Sequence, residues 1–514
     1  MKTARVFILL FALVLAAPAQ KTIVAAGSSC DGLQSLTLNN ARVTAATEVP
    51  AGTFLPSVPD GGRGVPPAAA KAYAALPSFC RVQVTATPTS DSDIKIEVWL
   101  PTQGWNGKFQ AVGNGGWAGA ISYGALAAAV AAGYASASTD TGHATPGSTF
   151  ALGHSEKLVD YAYRAIHEMT VQAKAVINAR YGNAPTISFW NGCSTGGRQG
   201  VAEASKYPAD FDAIVAGATP DPSARLHAVR VVANLLVNRT AESAIPPAKL
   251  PALHAAVLEA CDTLDGVKDG VLENPARCRF DPKALECKGS DGLSCLTSAQ
   301  VETAKMLYSE VKHPATGEVL YAPLLQPGSE LLWATLAGPA PYVNALEGFR
   351  VAFNNPNWDW HTFSPNDIVV MEKANAVLNS ATPDLKPFFA RGGKLLMYHG
   401  WADQQVPAMS SIGYFNRVVQ TVGEQAVGKS IQLYMVPGMT HCQGGVGTDT
   451  FDKMAAIEEW VAKGTAPKAI VASHVSNGRV DRTRPLCAYP QVARYKGTGS
   501  TDSAENFSCA VDAR

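Results

Sequence analysis

A glycine-rich segment between a predicted strand and a predicted helix constrains this chain more than any other feature. It reads Asn-Gly-Cys-Ser-Thr-Gly-Gly at residues 191–197, after a β-prone apolar run at 186–190 and before a helical pattern at 198–207. A Gly-x-Ser-x-Gly turn at such a junction is so tight that small residues must flank the serine. The turn holds the Ser194 hydroxyl at the top of a sheet, beside a helix N-terminus that favours developing negative charge. The pattern is common by itself, so its meaning depends on the rest of the chain.

Predicted strands and helices alternate on both sides of this turn. The other strand patterns lie at residues 94–100, 108–112, 134–138, 211–217, 394–399 and 431–436. The helical patterns outside the turn lie at residues 123–132, 156–181, 410–420 and 451–461. Such alternation predicts a mostly parallel sheet covered by helices. Residues 20–90 show no comparable pattern and are expected to be irregular.

Two later strands end in loops whose side chains can complete a serine triad. The strand at 394–399 leads to Asp403, and the strand at 431–436 leads to His441. A serine hydroxyl attacks an ester only when a base takes its proton, which His441 would do while Asp403 fixes its tautomer. The chain order Ser194, Asp403, His441 is that of α/β-hydrolases, so the sequence predicts that fold and this triad.

Each of these residues has a less specific interpretation when it is taken alone. Asp403 is then a helix cap or a turn residue, and His441 is a surface histidine in a glycine-rich loop. Three further histidines, His143, His399 and His474, are alternative bases on spacing alone.

Ester hydrolysis also needs two main-chain N–H donors for the oxyanion of its transition state. Thr195 follows the serine and is expected to supply one of them. The second is expected from the glycine loop at 113–116, where the lack of side chains lets the backbone approach the substrate. We favour Gly116, with Gly115 close behind. A plain glycine turn is the alternative interpretation of this loop.

The stretch between Ser194 and Asp403 is far longer than two or three strand–helix units require, at about 30 residues each. Residues 220–385 are therefore predicted to form an inserted lid domain. Residues 20–219 and 386–514 then make up the α/β-hydrolase catalytic domain. Because ligand sites favour domain interfaces, we expect the lid to cover the serine and to shape the acyl pocket.

Five aromatic residues of the predicted lid are candidates for stacking on an aromatic acid. They are Trp333, Phe349, Phe353, Trp358 and Trp360. Aromatic side chains are more often core than ligand contacts, so a structural role is the stronger expectation for each of them.

The first residues of the chain have the pattern of a secretory signal peptide, predicted at residues 1–19. Lys2 and Arg5 form a charged region, residues 6–16 are apolar, and Ala-Pro-Ala at 17–19 is a cleavage site. No later stretch reaches the ~20 apolar residues that a membrane span needs. The chain is therefore expected to be secreted or periplasmic, without a membrane span.

Charge argues against a nucleic acid or an anionic membrane as partner. The chain carries 42 Lys and Arg residues against 42 Asp and Glu residues, so it is close to neutral. Its 16% of charged residues is low beside the usual ~25%, as expected for a compact secreted enzyme. The expected partner is a small substrate.

The chain has ten cysteines, and an even count behind a signal peptide indicates disulfides. Sequence alone does not determine their pairing. Neighbours along the chain suggest Cys30–Cys80, Cys261–Cys278, Cys287–Cys295 and Cys487–Cys509. This leaves Cys193 and Cys442, each beside a proposed catalytic residue, and a bond between them would tie the serine and histidine loops together. Two unrelated thiols, or a cysteine nucleophile, are the alternatives.

An acidic loop in the predicted lid suits a hard cation. Calcium is the natural choice for carboxylate and carbonyl oxygens, in a structural role. The candidate ligands are the side chains of Asp262, Asp265 and Asp269 and the carbonyls of Val267 and Val271. The spacing is not that of an EF-hand, and a solvated acidic loop is the alternative.

Three motifs give the chain a recognisable resemblance. Gly-Cys-Ser-Thr-Gly-Gly at 192–197, His-Gly-Trp-Ala-Asp at 399–403 and Pro-Gly-Met-Thr-His-Cys at 437–442 resemble the tannase and feruloyl esterase family of serine hydrolases. The likeness extends over about residues 30–509 and is specific because of the cysteines beside the serine and the histidine. It implies the same triad, a Cys193–Cys442 disulfide and a structural calcium site in the lid.

The resemblance also implies a function. The chain is expected to be an exported serine carboxylic ester hydrolase that cleaves esters of phenolic acids such as ferulate or gallate through an acyl-enzyme. Calcium is the implied metal, and no organic cofactor is expected. A mono(2-hydroxyethyl) terephthalate hydrolase-like esterase and a non-catalytic binding protein on the same fold are alternatives, and acyl transfer to an acceptor other than water is a third.

Overall fold

The structure is a computed structural model that describes residues 27–56 and 66–512. The predicted signal peptide at residues 1–19 lies outside the described residues.

Within these ranges the strands alternate with helices over most of the chain. The strands are β1 (Thr37–Leu38), β2 (Ala41–Val49), β3 (Phe79–Ala86), β4 (Ile94–Pro101), β5 (Lys108–Val112), β6 (Ala135–Thr139), β7 (Ile187–Cys193), β8 (Ala213–Gly217), β9 (Val311–Lys312), β10 (Val319–Tyr321), β11 (Lys394–Gly400), β12 (Ile431–Val436), β13 (Ala469–Ser476), β14 (Arg479–Cys487), β15 (Gln491–Tyr495) and β16 (Phe507–Val511).

The α-helices are α1 (Pro67–Ala74), α2 (Tyr123–Ala131), α3 (Ser155–Val159), α4 (Ala165–Tyr181), α5 (Thr195–Lys206), α6 (Ser223–Val237), α7 (Leu250–Cys261), α8 (Ser298–Leu307), α9 (Ala334–Ala337), α10 (Val343–Ala352), α11 (Asp367–Ala374), α12 (Lys386–Ala390), α13 (Ala408–Val422) and α14 (Lys453–Lys463). Among the described helices, none combines the length and the apolar character that a bilayer span requires.

Ten strands form one sheet in the order β1-β2-β3-β4-β6-β5-β7-β8-β11-β12. β4 pairs antiparallel with β6, and all neighbours from β6 to β12 run parallel. β7, which leads into the serine turn, lies in the middle of this parallel part, between β5 and β8. The predicted fold class, an α/β-hydrolase fold, is confirmed.

The expectation that residues 20–90 are irregular is wrong. β2 and β3 pair antiparallel with each other, and β3 pairs with β4, so they extend the sheet on one side. Alanine and threonine supply most of β2, which gives its alternation little hydrophobic contrast. Pairing with the strongly apolar β4 therefore places these strands, and a single-segment pattern does not reveal it.

Both faces of the parallel strands are buried, as their apolar sequences require. Neighbouring residues of β7 show this, because Trp190 packs into one core and Phe189 into the other. Helices α4, α5 and α13 cover the first core, and α14 covers the second.

The segment between β8 and β11 contains α6 to α12 and the hairpin β9–β10. Apolar side chains from α6, α8, α10 and α11 form a core of their own, which includes Trp333 and Phe349. The proposed lid boundaries at 220 and 385 stay a prediction.

Five disulfides join the ten cysteines in the pairs that the sequence suggests. They are Cys30–Cys80, Cys193–Cys442, Cys261–Cys278, Cys287–Cys295 and Cys487–Cys509. Four of them close short or medium loops, whereas Cys193–Cys442 joins the last residue of β7 to the loop after β12.

Candidate active site

Ser194 lies between the last residue of β7 and the first residue of α5. Its backbone has φ 62° and ψ −124°, a conformation that a residue with a Cβ adopts only under strain. The flanking glycines are required by packing. A Cβ on Gly192 would lie 2.5 Å from the carbonyl oxygen of Gly196, and one on Gly196 would lie 3.2 Å from the Cα of Gly113. The sequence therefore produces the tight strand-to-helix turn at Ser194 that it predicts.

Asp403 and His441 follow β11 and β12 and lie next to each other. The His441 Nδ1 is 2.8 Å from the Asp403 Oδ2, and the Asp403 Oδ1 accepts the main-chain N–H groups of Gln405 and Val406 at 2.8 Å. Burial acts to raise the pKa of Asp403, but the neighbouring imidazoles outweigh it and hold this pKa well below its ordinary value. Asp403 is therefore ionised at neutral pH and can stabilise an imidazolium at His441.

One cavity brings together the predicted nucleophile, its base and the predicted oxyanion donors. Its volume is about 300 Å³, and its lining includes Ser194, His441, Thr195, Gly115 and Gly116. These residues come from loops after three different parallel strands, which meet at the same edge of the sheet. The arrangement can carry a nucleophile, its base and main-chain donors around one ester group.

Hydrogen bonds hold the Gly116 peptide against the start of α5. Its carbonyl accepts the Tyr161 hydroxyl at 2.7 Å and the Thr195 hydroxyl at 2.9 Å. Among the described residues, the N–H groups of Thr195 and Gly116 have no hydrogen-bond acceptor, which leaves both free for an oxyanion. The N–H of Gly115 is free in the same sense, so the alternative donor stays open.

The Cys193–Cys442 disulfide connects the residue before the serine to the residue after the histidine. The two cysteines are 249 residues apart in the chain, with Cα atoms 6.0 Å apart. In the chain-entropy model, a loop of this size stabilises the folded state by about 5 kcal/mol. The bond also limits how far the serine and histidine loops can separate.

His399 contacts the same carboxylate oxygen of Asp403 as His441 does. It is fully buried, with Nε2 3.1 Å from the Asp403 Oδ2 and 3.0 Å from the Val406 carbonyl. Its Nδ1 is 2.8 Å from the Ser411 hydroxyl, which can donate to it. Because Nε2 faces two acceptors, it carries a proton, and His399 is a donor that positions Asp403.

The other two alternative bases lie elsewhere. His143 stacks on Phe150 at 3.7 Å and its Nε2 is 3.1 Å from the Trp117 carbonyl. His474 pairs with Asp481 on the β13–β14 hairpin at 2.6 Å. Neither of them, nor His399, contributes to the lining of the cavity.

The aromatic residues that line the cavity are not the five lid residues that the sequence suggested. Trp117 and Tyr161, which stack at 4.6 Å, line it together with Tyr342. Of the five lid candidates, Phe349 and Trp358 stack on each other at 4.4 Å within the lid core. None of the five lines the cavity. The sequence could have indicated Trp117 as a cavity residue, because it directly follows the glycine loop.

Two polar residues of α6, separated by three positions, also line the cavity. Both His227 and Arg230 are buried. Arg230 donates to the Gln405 carbonyl, and its guanidinium lies 5.2 Å from the Tyr342 ring centre. Burial lowers the pKa of His227 to about 3, so this imidazole is neutral at working pH. The sequence interpretation missed both residues because nothing in their local pattern distinguishes them from core positions of a helix.

The family of the chain is shown by its similarity to known proteins. The family model for tannase and feruloyl esterase matches residues 80–510. The chain belongs to the tannase and feruloyl esterase family. It is 35% identical to an uncharacterized esterase of Xanthomonas campestris pv. campestris, covering 96% of this chain and 93% of the relative. It is 32% identical to a probable feruloyl esterase B-2 of Aspergillus oryzae, covering 93% and 95%.

A solved structure shows the same architecture. The crystal structure of feruloyl esterase B from Aspergillus oryzae superimposes with a TM-score of 0.85 at 31% identity, over 94% of this chain and 99% of that one. This tannase-family chain is therefore a carboxylic ester hydrolase. Neither a mono(2-hydroxyethyl) terephthalate hydrolase nor a non-catalytic binding protein is favoured by these likenesses.

In the acidic loop of this family member, which the Cys261–Cys278 disulfide closes, each of the three carboxylates accepts a main-chain N–H of the loop. Asp262 accepts the N–H of Gly270 at 3.0 Å, Asp265 that of Val267 at 2.9 Å, and Asp269 that of Val271 at 3.1 Å. Asp269 also pairs with Arg484 of β14.

Negative charge in this loop is only partly balanced. Burial, with the charges of Asp269 and Asp262, raises the pKa of Asp265 to about 6. A carboxylate that is difficult to ionise next to other acids suits a bound cation. The donors therefore fit calcium chemically.

We expect loss of the Cys193–Cys442 bond to reduce catalysis as well as stability. The double variant Cys193→Ser/Cys442→Ser should lower Tm by about 5 °C and kcat by about tenfold or more, because the serine and histidine loops are no longer held together. Circular dichroism melting and steady-state hydrolysis measure the two effects. The matched control, Cys487→Ser/Cys509→Ser, should lose stability and keep kcat. Equal kcat in both double variants would contradict a positioning role.

We expect His399 to determine the pH below which Asp403 loses its charge and the protein loses stability. His399→Ala removes a donor to Asp403 and should raise the pKa of Asp403. The stability that this ionised carboxylate contributes is present above its unfolded pKa of ~3.9 and is lost as the pH falls through its folded pKa. Thus Tm of the variant should begin to fall at a higher pH than that of the wild type.

The conservative variant His399→Gln keeps an N–H donor and should restore the wild-type dependence of Tm on pH between pH 3 and 7. Identical pH profiles for the alanine and glutamine variants would show that donation by His399 does not hold the Asp403 pKa down.

Proposed function

We propose that this chain is an exported esterase that hydrolyses esters of phenolic acids through an acyl-enzyme on Ser194. The observation that carries the proposal is the cavity in which Ser194 and His441 lie together, with His441 2.8 Å from Asp403. The feruloyl esterase names of the similar proteins support the choice of acid.

In the proposed reaction the Ser194 Oγ attacks the ester carbonyl while the His441 Nε2 takes its proton. The tetrahedral oxyanion accepts hydrogen bonds from the N–H groups of Thr195 and Gly116. Asp403 stays ionised, holds the His441 Nδ1–H and stabilises the imidazolium. His441 then gives the proton to the departing alcohol oxygen, which leaves an acyl-Ser194.

Water enters once the alcohol has left and repeats the same steps. His441 takes a proton from water, the resulting hydroxide adds to the acyl carbonyl, and the proton returns to the Ser194 oxygen as the acid leaves. The products are the free phenolic acid, the alcohol and the unmodified enzyme.

The residues that line the cavity favour a substrate whose acid is aromatic and carries polar ring substituents. The flat faces of Trp117 and Tyr161 provide a stacking surface. His227 and Arg230 provide buried polar groups on the lid side, where a phenolic oxygen can find a hydrogen-bond partner. An unsubstituted aliphatic acyl group would leave these polar groups without a partner, so we expect it to be a poorer substrate.

Export is supported by the disulfides. Five disulfides among the described residues require an oxidising compartment to form and persist. The signal-peptide pattern at residues 1–19 agrees with this, and we propose secretion or a periplasmic location.

We also propose that Asp262, Asp265 and Asp269, with the carbonyls of Val267 and Val271, hold one structural calcium ion. The fit described above supports it, since three carboxylates share the loop and the two arginines that pair with it, Arg482 and Arg484, both pair with Asp269. The ion would neutralise this charge and fix the loop beside the C-terminal hairpins. It takes no part in the proposed reaction.

Hydrolysis of a small ester panel tests the proposed activity. Methyl ferulate, methyl gallate and chlorogenate should be cleaved with a kcat/KM at least tenfold higher than that of p-nitrophenyl butyrate. Ser194→Ala should lower kcat by a factor of about 10⁴ or more while its melting temperature stays near that of the wild type. The matched control Ser205→Ala, on the same helix but away from the cavity, should keep full activity.

Two results would contradict this proposal separately. Residual activity of Ser194→Ala above 1% of wild type would remove Ser194 as nucleophile. A preference for the aliphatic ester, with Ser194→Ala inactive, would leave the mechanism intact and overturn the phenolic substrate class.

Removal of calcium tests the metal proposal. Chelation should lower Tm of the wild type by several degrees, and added Ca²⁺ should restore it, because the ion binds only the folded loop. Asp265→Asn should have the lower Tm even before chelation, and neither the chelator nor added Ca²⁺ should change it. The control Asp384→Asn should behave as wild type. Elemental analysis that finds no calcium in protein prepared with Ca²⁺ would refute the site.

A further inference from the structure

A second group of metal-ligating side chains lies at the end of α5 opposite the serine. His167 of α4, Glu203 of α5 and Asp210, after α5, each place one ligand atom within 4.8 Å of the other two. The His167 Nδ1 is 2.6 Å from the Asp210 Oδ2. None of the three lines the catalytic cavity.

Glu203 is the unusual member of this group. It is 1% exposed, and neither carboxylate oxygen has a hydrogen-bond donor among the described residues. Burial, followed by the charge of Asp210, raises the pKa of Glu203 well above its ordinary value. An unpartnered buried carboxylate is costly, so this position calls for a cation or a bound proton.

Within residues 27–56 and 66–512, no protein cation bonds to either carboxylate oxygen of Glu203. The Nζ of Lys174 donates to the main-chain carbonyl of Asp210, and burial lowers the pKa of this lysine. Tyr207 stacks on the His167 ring at 3.8 Å and 8°, which fixes the imidazole plane. The side chain of His167 is 29% exposed, so the group has a route to solvent.

We propose that His167, Glu203 and Asp210 bind one divalent transition-metal ion, with zinc as the best match. One imidazole nitrogen and two carboxylate oxygens are a zinc ligand set, and the imidazole favours zinc over calcium or magnesium. Three protein ligands leave a fourth position for water on the solvent side of His167. The two carboxylates balance the charge of the ion.

The role of this ion is structural. It replaces the direct His167–Asp210 hydrogen bond and ties α4 to the end of α5 and to the turn after it. Since α5 begins directly after Ser194, the ion anchors the helix whose first N–H group is directed at the oxyanion. It is far from the reacting atoms and donates nothing to them.

Metal analysis of the whole protein tests the site. Protein freed of metal and then dialysed against Ca²⁺ and Zn²⁺ together should retain one equivalent of zinc, measured by elemental mass spectrometry. Glu203→Gln and His167→Gln should each retain none, while Asp265→Asn should retain zinc. With Ca²⁺ held in excess, zinc at a hundredfold excess over its dissociation constant should raise the wild-type Tm by about 3 °C.

Two results would overturn the proposal. Wild-type protein that retains no zinc, together with a Glu203→Gln variant as stable as wild type, would show that a proton shared by Glu203 and Asp210 occupies the position instead. Zinc that persists in both glutamine variants would place the ion at other histidines. Absence of zinc from the wild-type protein overturns the proposal by itself, because that measurement needs no variant to fold.

Discussion

The strained backbone of Ser194 is the constraint on which the rest of this site depends. A residue with φ 62° persists only where its neighbours leave no alternative. The Ser194 N–H donates to the Gly217 carbonyl at 3.0 Å, the Gly196 N–H donates to Asn114 at 2.9 Å, and the Trp190 indole donates to the Gly196 carbonyl at 2.9 Å. These bonds tie the turn to β8, to the glycine loop and to its own strand, so the central sheet must be formed before the serine is in place.

Asp403 is likewise held in place by several hydrogen bonds at once. Four donors converge on one buried carboxylate, from His441, His399, Gln405 and Val406. Together they offset the cost of burying the charge and leave little freedom to the side chain. Since His441 takes its orientation from Asp403, the network transmits the rigidity of β11 and β12 to the base. The disulfide beside His441 then fixes the distance of this loop from the serine.

Much of the fold and of the candidate site could be predicted from the sequence, for a physical reason. Parallel strands end at one edge of a sheet, so Ser194, Asp403 and His441 share an edge once their strands are recognised. The disulfide partners that neighbouring places in the chain suggest are those of the structure, although the sequence did not determine them. By contrast, β2 has too little hydrophobic contrast to be recognised, and only its pairing with neighbours makes it a strand. Long-range partners of this kind are absent from a local pattern.

The pocket walls were beyond prediction for a different reason. His227 and Arg230 look like ordinary positions of an apolar helix, and only the placement of α6 brings them into the cavity. That placement is set at the start of the helix, where the Ser410 hydroxyl accepts the Asp221 N–H at 2.7 Å and donates to the Thr219 carbonyl at 2.7 Å, while Tyr321 donates to the Asp221 carbonyl at 2.7 Å. The segment that leads into α6 is thus bonded to α13, and the polar side chains of α6 are fixed relative to the serine. A cavity wall anchored in this way is already formed before substrate arrives, so binding need not order it.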